Sequence, residues 1–345
     1  MIPVGIIGDG YTAADLLRIL GGHRDARAVI VFSTENIGKD IVEVYPHLLR
    51  FTEARCEQTD LNRMKQECQA VFLALPHGLS VPVVKELVEA GVRCIDLGAD
   101  FRLQDPRVYE EYYEVVHEAP DMLKSAVYGL PELYRSRVRE ARVVANPGCF
   151  PTGAILALAP LLRNGLIATE GIIVDSKSGV SGAGRSLKLT RHFCEVNEGV
   201  KAYGVGNHRH LPEIVQELSL VAGQDVEVTF TPHLIPMSRG ILTTAYARLR
   251  PGVTASQVRD AFHDQYAGEY FIRMLPEGVS PHTRWVYGSN FLDIGLFIDE
   301  VKGKVIVISA LDNLTKGASG QAIQNFNLMF GVEETEGLKF GGIFP

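Results

Sequence analysis

A cysteine stands in the run Asn146-Pro147-Gly148-Cys149-Phe150-Pro151-Thr152-Gly153. Before it, Arg142-Val143-Val144-Ala145 reads as a short buried strand, and Asn-Pro-Gly is turn chemistry. After it, Pro151 suits the start of a helix that continues as the apolar run Ala154 to Leu162. A thiol placed there faces amides that lack an intrahelical acceptor and the positive end of the helix dipole, which favour thiolate. The same amides can stabilise an oxyanion on a carbonyl that the sulfur attacks. The bland alternative is a buried cysteine packed as a small hydrophobe. The Pro-Gly-Cys-x-Pro frame favours a covalent nucleophile.

A second cluster, Asn207-His208-Arg209-His210-Leu211-Pro212-Glu213, brings two histidines, an arginine and a carboxylate together. His-x-His on an extended segment puts both rings on one side, as a metal site needs, but no third ligand lies nearby and no metal is expected. A histidine acting as general acid/base, oriented by Glu213, fits better beside a thiol; a surface pair preceding a helix is the alternative. Ser178-Gly179-Val180-Ser181-Gly182-Ala183-Gly184-Arg185 follows a strand. Its amides could cradle a phosphate with Arg185 supplying charge, or it is a flexible turn. Arg239, in Pro236-Met237-Ser238-Arg239-Gly240, stands at a strand start, where it either clamps an anion or is an ordinary surface arginine.

At the other end of the chain, Gly8-x-Gly10-x-x-Ala13 follows the first strand and opens the first helix, the context of a dinucleotide fingerprint. The next strand ends Phe32-Ser33-Thr34-Glu35. Glu35 could hold a ribose diol, whereas the Ser33 and Thr34 hydroxyls could bind a 2′-phosphate, so these residues leave NAD and NADP open.

These groups need a scaffold. Strand signals at Val4–Ile7, Ala28–Phe32, Ala70–Leu75, Arg93–Leu97 and Arg142–Ala145 alternate with helices at Ala13–Leu20 and Val81–Ala90. Unbroken apolar strands between helices mean a parallel sheet covered on both faces. Beyond the cysteine helix, strands at residues 171–175, 226–230, 240–247 and 304–310 have few helices between them apart from Ala255–Gln265. That pattern predicts an α/β chain: a Rossmann-type parallel domain followed by an α+β domain with a mainly antiparallel sheet, with helical periodicity returning at Gly320–Met329. Its 345 residues suffice for two cores. A net charge of -7 with no basic cluster argues against nucleic acid as a partner. The N-terminus lacks signal-peptide features, and no stretch approaches the roughly 18 apolar residues of a membrane span. Five cysteines without a Cys-x-x-Cys pair favour free thiols in a reducing cytoplasm.

Taken together and in order, these pieces resemble the N-acetyl-γ-glutamyl-phosphate reductase family of the aspartate-semialdehyde dehydrogenase-like superfamily. The marks are Gly8-Asp9-Gly10-Tyr11-Thr12, Leu75-Pro76-His77-Gly78, the Ile95 to Leu103 run, Tyr128-Gly129-Leu130-Pro131-Glu132 and the Asn146 to Thr152 run. They continue with Ser178 to Arg185, His208 to Glu213, Phe230 to Met237 and Asp312-Asn313-Leu314-Thr315-Lys316-Gly317-Ala318. The resemblance implies a cofactor domain of residues 1–148 plus about 318–345, with a catalytic and oligomerisation domain at 149–317. It implies NADP(H), a small acyl-phosphate substrate and a homo-oligomer, dimer or tetramer. Cofactor contacts would come from Gly8, Gly10, Tyr11, Thr12, Ser33, Thr34, Pro76, Ser178, Gly182, Gly184, Arg185 and Asn313, and substrate contacts from Arg239 and Arg102. Cys149 would form a thioester that NADPH reduces to a semialdehyde, with His210 as acid/base, His208 second and Glu213 orienting. Three departures bear on the cofactor: Asp9 within the glycine turn, Gly98 in the Asp96–Asp100 run and Ala13 at the third fingerprint position. The rival readings are the same chemistry on a carrier-bound α-aminoadipyl phosphate, or a nucleotide-binding relative without catalysis.

Overall fold

The computed structural model describes residues 1–345 and divides into two compact units, 1–148 with 318–339 and 149–317 with 340–345. In the first unit the strands are β1 (Ile2–Ile7), β2 (Ala26–Phe32), β3 (Cys56–Glu57), β4 (Ala70–Leu73), β5 (Arg93–Asp96), β6 (Val127–Tyr128) and β7 (Val143–Ala145). They form one sheet, in the order β3-β2-β1-β4-β5-β7-β6, and every pairing is parallel. Ile7, Ile30, Phe32, Val71, Leu73, Val84 and Leu87 are buried in its core. Strands that run apolar without alternation are buried on both faces, which is why the sequence pattern identified them. The order reverses at β1, where β2 and β4 diverge, and crevices for ligands open at such points.

The segment 318–339 belongs to this unit through a helix, Gly320–Met329, whose side chains are all buried, polar ones included. Gln321 Nε2 and Asn325 Nδ2 both donate to the Gly129 carbonyl, at 2.7 and 2.9 Å. Asn327 Oδ1 lies 2.9 Å from His23 Nε2. Buried amides are tolerable only when paired in this way.

The strands of the second unit are β8 (Ile172–Ser178), β9 (Lys201–Ala202), β10 (Val228–Leu234), β11 (Ile241–Arg248), β12 (Ile272–Met274), β13 (Leu292–Asp299) and β14 (Lys304–Leu311). They form one mixed sheet, ordered β12-β13-β14-β11-β8-β10-β9, in which β8–β10 and β12–β13 are parallel and the remaining pairs antiparallel. The helix Cys149–Arg163 packs on β11 and β14 and against the helices Leu211–Ala222 and Ala255–Tyr266. It is buried from Phe150 to Leu162, all round, so it forms the centre of the unit. Gly153 lets it approach the sheet: an added Cβ would meet Ser309 Oγ at 3.2 Å, and Ser309 Oγ already donates to the Gly153 carbonyl at 3.0 Å. The helix Leu211–Ala222 and the strand β13 are among the elements that go beyond the sequence reading. The terminal residues pack here too, with Ile343 N donating to Tyr287 O at 2.9 Å.

Gly129 has no room for a methyl group: an ideal Cβ would lie 2.4 Å from Asn325 Nδ2 and 2.5 Å from Val144 Cγ1. Gly129→Ala should therefore destabilise the protein by about 1–3 kcal/mol, the range for overpacking, in urea unfolding. A variant as stable as the parent would show that the returning helix can shift away at little cost.

Candidate active site

Cys149 opens its helix half-buried, whereas Cys56, Cys68 and Cys94 are buried and Cys194 is exposed. Burial raises the pKa of each of the three buried thiols, that of Cys68 to about 12, which keeps them protonated and inert. Cys194 lies on the four-residue helix Phe193–Val196, and Cys149 is therefore the accessible thiol that opens a long buried helix. The loop after β14 closes on it. An added Cβ on Gly317 would lie 2.8 Å from Cys149 Cβ, an approach that only glycine allows.

The histidine segment is a turn running into the helix Leu211–Ala222, with His210 as its N-cap in αR conformation, not the extended strand that would align His-x-His for a metal. Both rings stand edge-on to Phe150, the residue after Cys149, with centroids at 5.6 Å for His208 and 5.8 Å for His210. His208 also packs edge-on against Tyr203, Phe230 and His210. Its Nδ1 accepts the His210 backbone N–H at 3.1 Å. Burial, and then the neighbouring Arg209 charge, push its pKa down to about 4. A ring so shifted favours the neutral form at neutral pH, and its Nδ1 orders the turn by holding the His210 amide. Glu213, one turn into the helix, is buried, as is Glu217 one turn further on. Tyr203 was not among the sequence candidates. Burial and the adjacent Cys149 hold its phenol protonated, well above its ordinary range.

Arg239 precedes β11, and its Nη1 reaches Asp312 Oδ2 at 3.3 Å and Thr315 Oγ1 at 3.4 Å. Asp312 is wholly buried. Its Oδ1 accepts Leu314 N and Thr315 N at 2.8 and 3.0 Å, and its Oδ2 accepts Gly288 N at 2.7 Å. The arginine is therefore fixed on the same loop that carries Gly317 to Cys149. Asn313, expected to touch the cofactor, links loops: Oδ1 accepts Gly240 N at 2.6 Å and Nδ2 donates to Ser181 Oγ at 3.0 Å. The amides of Gly179, Val180 and Ser181 donate to the carbonyls of Gly240, Met237 and Ser238. Gly184 N donates to Ser181 O, so four amides expected to cradle a phosphate already have partners. Ser178 is buried with its hydroxyl on Gly179 O, while Gly182, Gly184 and Arg185 are exposed.

In the first unit, Gly8 has φ +116° and sits where a Cβ would be 2.5 Å from Ala74 O, so the turn is pressed between β1 and the end of β4. Gly10 caps the helix Tyr11–Leu20 with no side-chain cap and with nothing within 4 Å of an added Cβ. An uncapped helix start with open space before it fits a pyrophosphate. Tyr11 and Pro76 are exposed beside it, and Thr12 is tied to the returning helix through its carbonyl, which accepts Ser319 Oγ at 2.9 Å. Asp100 pins the loop after β4 by accepting Gly78 N and Ser80 N at 2.7 and 2.9 Å. Of the two hydroxyls after β2, Thr34 is exposed, but Ser33 is buried and bonded within the protein. Arg102, the other expected substrate contact, is buried; its Nε and Nη2 donate to the carbonyls of Asn146 and Leu97, at 2.8 and 2.9 Å, so it braces the turn leading to Cys149.

Two measurements check this geometry. Gly317→Ala should slow both alkylation of Cys149 and turnover, the latter by about a hundredfold, because small misplacements at a reacting group cost that much; unchanged rates would show that the loop yields. The His208 ring should stay neutral above about pH 5 in NMR titration. Its unfolded pKa is the higher one, so its share of stability is present above about pH 6.5 and is lost as the pH falls from there towards 4.

No helix is long and apolar enough to cross a membrane. Residues 3–141 match the family model described as semialdehyde dehydrogenase, NAD binding domain, and residues 149–313 match the one described as semialdehyde dehydrogenase, dimerisation domain. The chain is 53% identical to N-acetyl-gamma-glutamyl-phosphate reductase of Pelotomaculum thermopropionicum, covering 100% of this chain and 99% of that one. It is 51% identical to the protein of the same name from Moorella thermoacetica, each covered over 100% of its length. Among solved structures, aspartate semialdehyde dehydrogenase II of Vibrio cholerae shares the fold, with a TM-score of 0.73 at 18% identity over 96% of this chain and 98% of that one. The aspartate semialdehyde dehydrogenase of Candida albicans, solved with NADP, gives a TM-score of 0.69 at 14% identity over 96% of this chain and 98% of that one. A thiol at a helix start in one unit and a glycine turn on a parallel sheet in the other thus accompany end-to-end similarity, and the chain belongs to the N-acetyl-γ-glutamyl-phosphate reductases of the semialdehyde dehydrogenase family.

Proposed function

We propose that the chain reduces N-acetyl-γ-glutamyl phosphate with NADPH to N-acetylglutamate semialdehyde and phosphate, in arginine biosynthesis, through a thioester on Cys149. The observation that carries this reading is the half-buried thiol at the first turn of a buried helix, with Phe150 beside it set against His208 and His210. Family membership favours this substrate over an aminoadipyl phosphate, and the presence of the thiol, the histidines and Arg239 in one unit argues against a relative without catalysis. A cytoplasmic homo-oligomer, dimer or tetramer, completes the reading, supported by the match to a dimerisation domain.

Gly8, Gly10 and the start of the first helix would hold the dinucleotide's pyrophosphate. Bound NADPH supplies the hydride that takes the thioester to the aldehyde level. The remaining steps belong to the protein. The Cys149 thiolate attacks the acyl carbon, the C–S bond forms, and the C–O bond to phosphate breaks with its electrons leaving on phosphate. First-turn amides of the helix stabilise the charge on the carbonyl oxygen. His210 gives and takes the proton of the tetrahedral species, and the C–S bond then breaks, releasing aldehyde and thiolate. Sulfur suits the task because a thioester accepts hydride more readily than an oxygen ester or a carboxylate. Arg239 faces the acyl phosphate as a planar cation fixed by Asp312.

Phosphate-dependent reduction of NADP with N-acetylglutamate semialdehyde, run beside the aminoadipate analogue, tests the substrate. Cys149→Ser should fold and bind cofactor yet lose nearly all turnover; retention of more than about a tenth of the rate would rule out covalent catalysis. His210→Asn should lower kcat by about 10²–10⁴-fold, and His208→Asn by less. The reverse ranking would move the proton to His208.

A further inference from the structure

Asp9 is the one charged residue of the turn Gly8–Gly10, and it does not face the helix start. Its Oδ2 accepts Ser33 Oγ and Asn36 Nδ2, each at 2.6 Å, and its backbone carbonyl accepts Tyr45 Oη at 2.9 Å. Ser33 Oγ in turn accepts Glu35 N and Asn36 N at 3.2 and 2.9 Å. The carboxylate is thus clamped at the C-terminal end of β2 by two neutral donors. In a sheet of this kind, an acid at that strand end takes the ribose 2′-hydroxyl of NAD, whereas a cation there accommodates the 2′-phosphate of NADP. Here the acid arrives from the glycine turn.

The charges around it do not cancel it. Lys39 Nζ donates to Asn36 Oδ1 at 3.2 Å, and Arg55 donates to Gly38 O, both at the exposed rim. Glu35 follows Ser33 and Thr34 in the chain, and Asp40 and Glu43 share with Asp9 and Lys39 the surroundings of the Cys56 thiol. Ser33, read from the sequence as a phosphate ligand, has its hydroxyl engaged in three hydrogen bonds within the protein.

We propose that Asp9 is a cofactor-specificity residue: its fixed carboxylate takes the adenine-ribose 2′-hydroxyl of NAD(H) and opposes the 2′-phosphate of NADP(H), so that preference for NADPH is smaller than a neutral turn would give. The proposal rests on the reading that this turn binds the dinucleotide. Like charge held in a partly buried site is costly, and removing it restores affinity for the repelled ligand selectively.

Calorimetric titration of the full chain with adenosine 2′,5′-bisphosphate and with adenosine 5′-diphosphate, beside fluorescence titration with NADPH and NADH, tests it. Asp9→Asn keeps an acceptor for Ser33 and loses only charge. It should tighten the two 2′-phosphorylated ligands about tenfold and leave or weaken the other two. Asp9→Ser, which shortens the side chain and also removes the clamp to Ser33 and Asn36, should move in the same direction. Equal tightening of all four ligands would place the charge at the pyrophosphate and overturn the proposal, as would no change in either variant. If the parent protein binds none of the four, the dinucleotide reading itself fails.

Discussion

A carboxylate with no access to water must be matched group by group, or the unit holding it is destabilised by several kcal/mol. Asp312 is such a group. It stands at the end of β14 with three backbone amides and Arg239 on its two oxygens, so the chain from 312 onward has no freedom in its first turn. Because that turn is set, Gly317 comes against Cys149. Because Arg239 is held by the same carboxylate, its guanidinium has a fixed place relative to the thiol's loop. Asn313, the next residue, carries the constraint to Gly240 and Ser181. The geometry around Cys149 thus follows from one buried charge and its partners.

The two histidines share a ring neighbour and differ in role because of what their nitrogens do. Aromatic contact on several sides strips water from His208, and a nitrogen that accepts an amide proton is held in the neutral form. A residue with a pKa near 4 is a poor proton carrier at neutral pH but a good fixed dipole. Packing has made His208 a support for the turn, a role that the shared His-x-His spacing does not contain. The first unit shows the same logic. Buried amide nitrogens of the helix Gly320–Met329 are satisfied because the Gly129 carbonyl lies where Gln321 and Asn325 point, and Asn327 Oδ1 meets His23, although Gln321 Oε1 and Asn325 Oδ1 have no partner.

Read residue by residue, the sequence determined a good deal. The parallel sheet was legible because strands buried on both faces carry unbroken apolar runs, and the helix after Cys149 because its turn, proline and apolar residues agree. The glycine turn was legible because only glycine tolerates φ +116° pressed against Ala74. The helix Leu211–Ala222 entered only as an alternative, because the histidines ahead of it also suit an extended segment, and β13 was missed because its apolar pattern is interrupted by Asp293 and Gly295.

What only the tertiary structure decided was which polar atoms already had partners. Arg102, Asn313, Ser33 and the amides of 179–181 all have the chemistry of ligand-binding groups, and each meets a protein partner from a distant or adjoining loop. Hydrogen-bond capacity is a property of a residue and is written in the sequence. Whether it is satisfied depends on which atoms lie within about 3 Å, and that is fixed only when the chain has folded. Asp9 shows this most clearly: its charge is plain in the sequence, but its position at the end of β2 exists only because Ser33 and Asn36 turn to meet it.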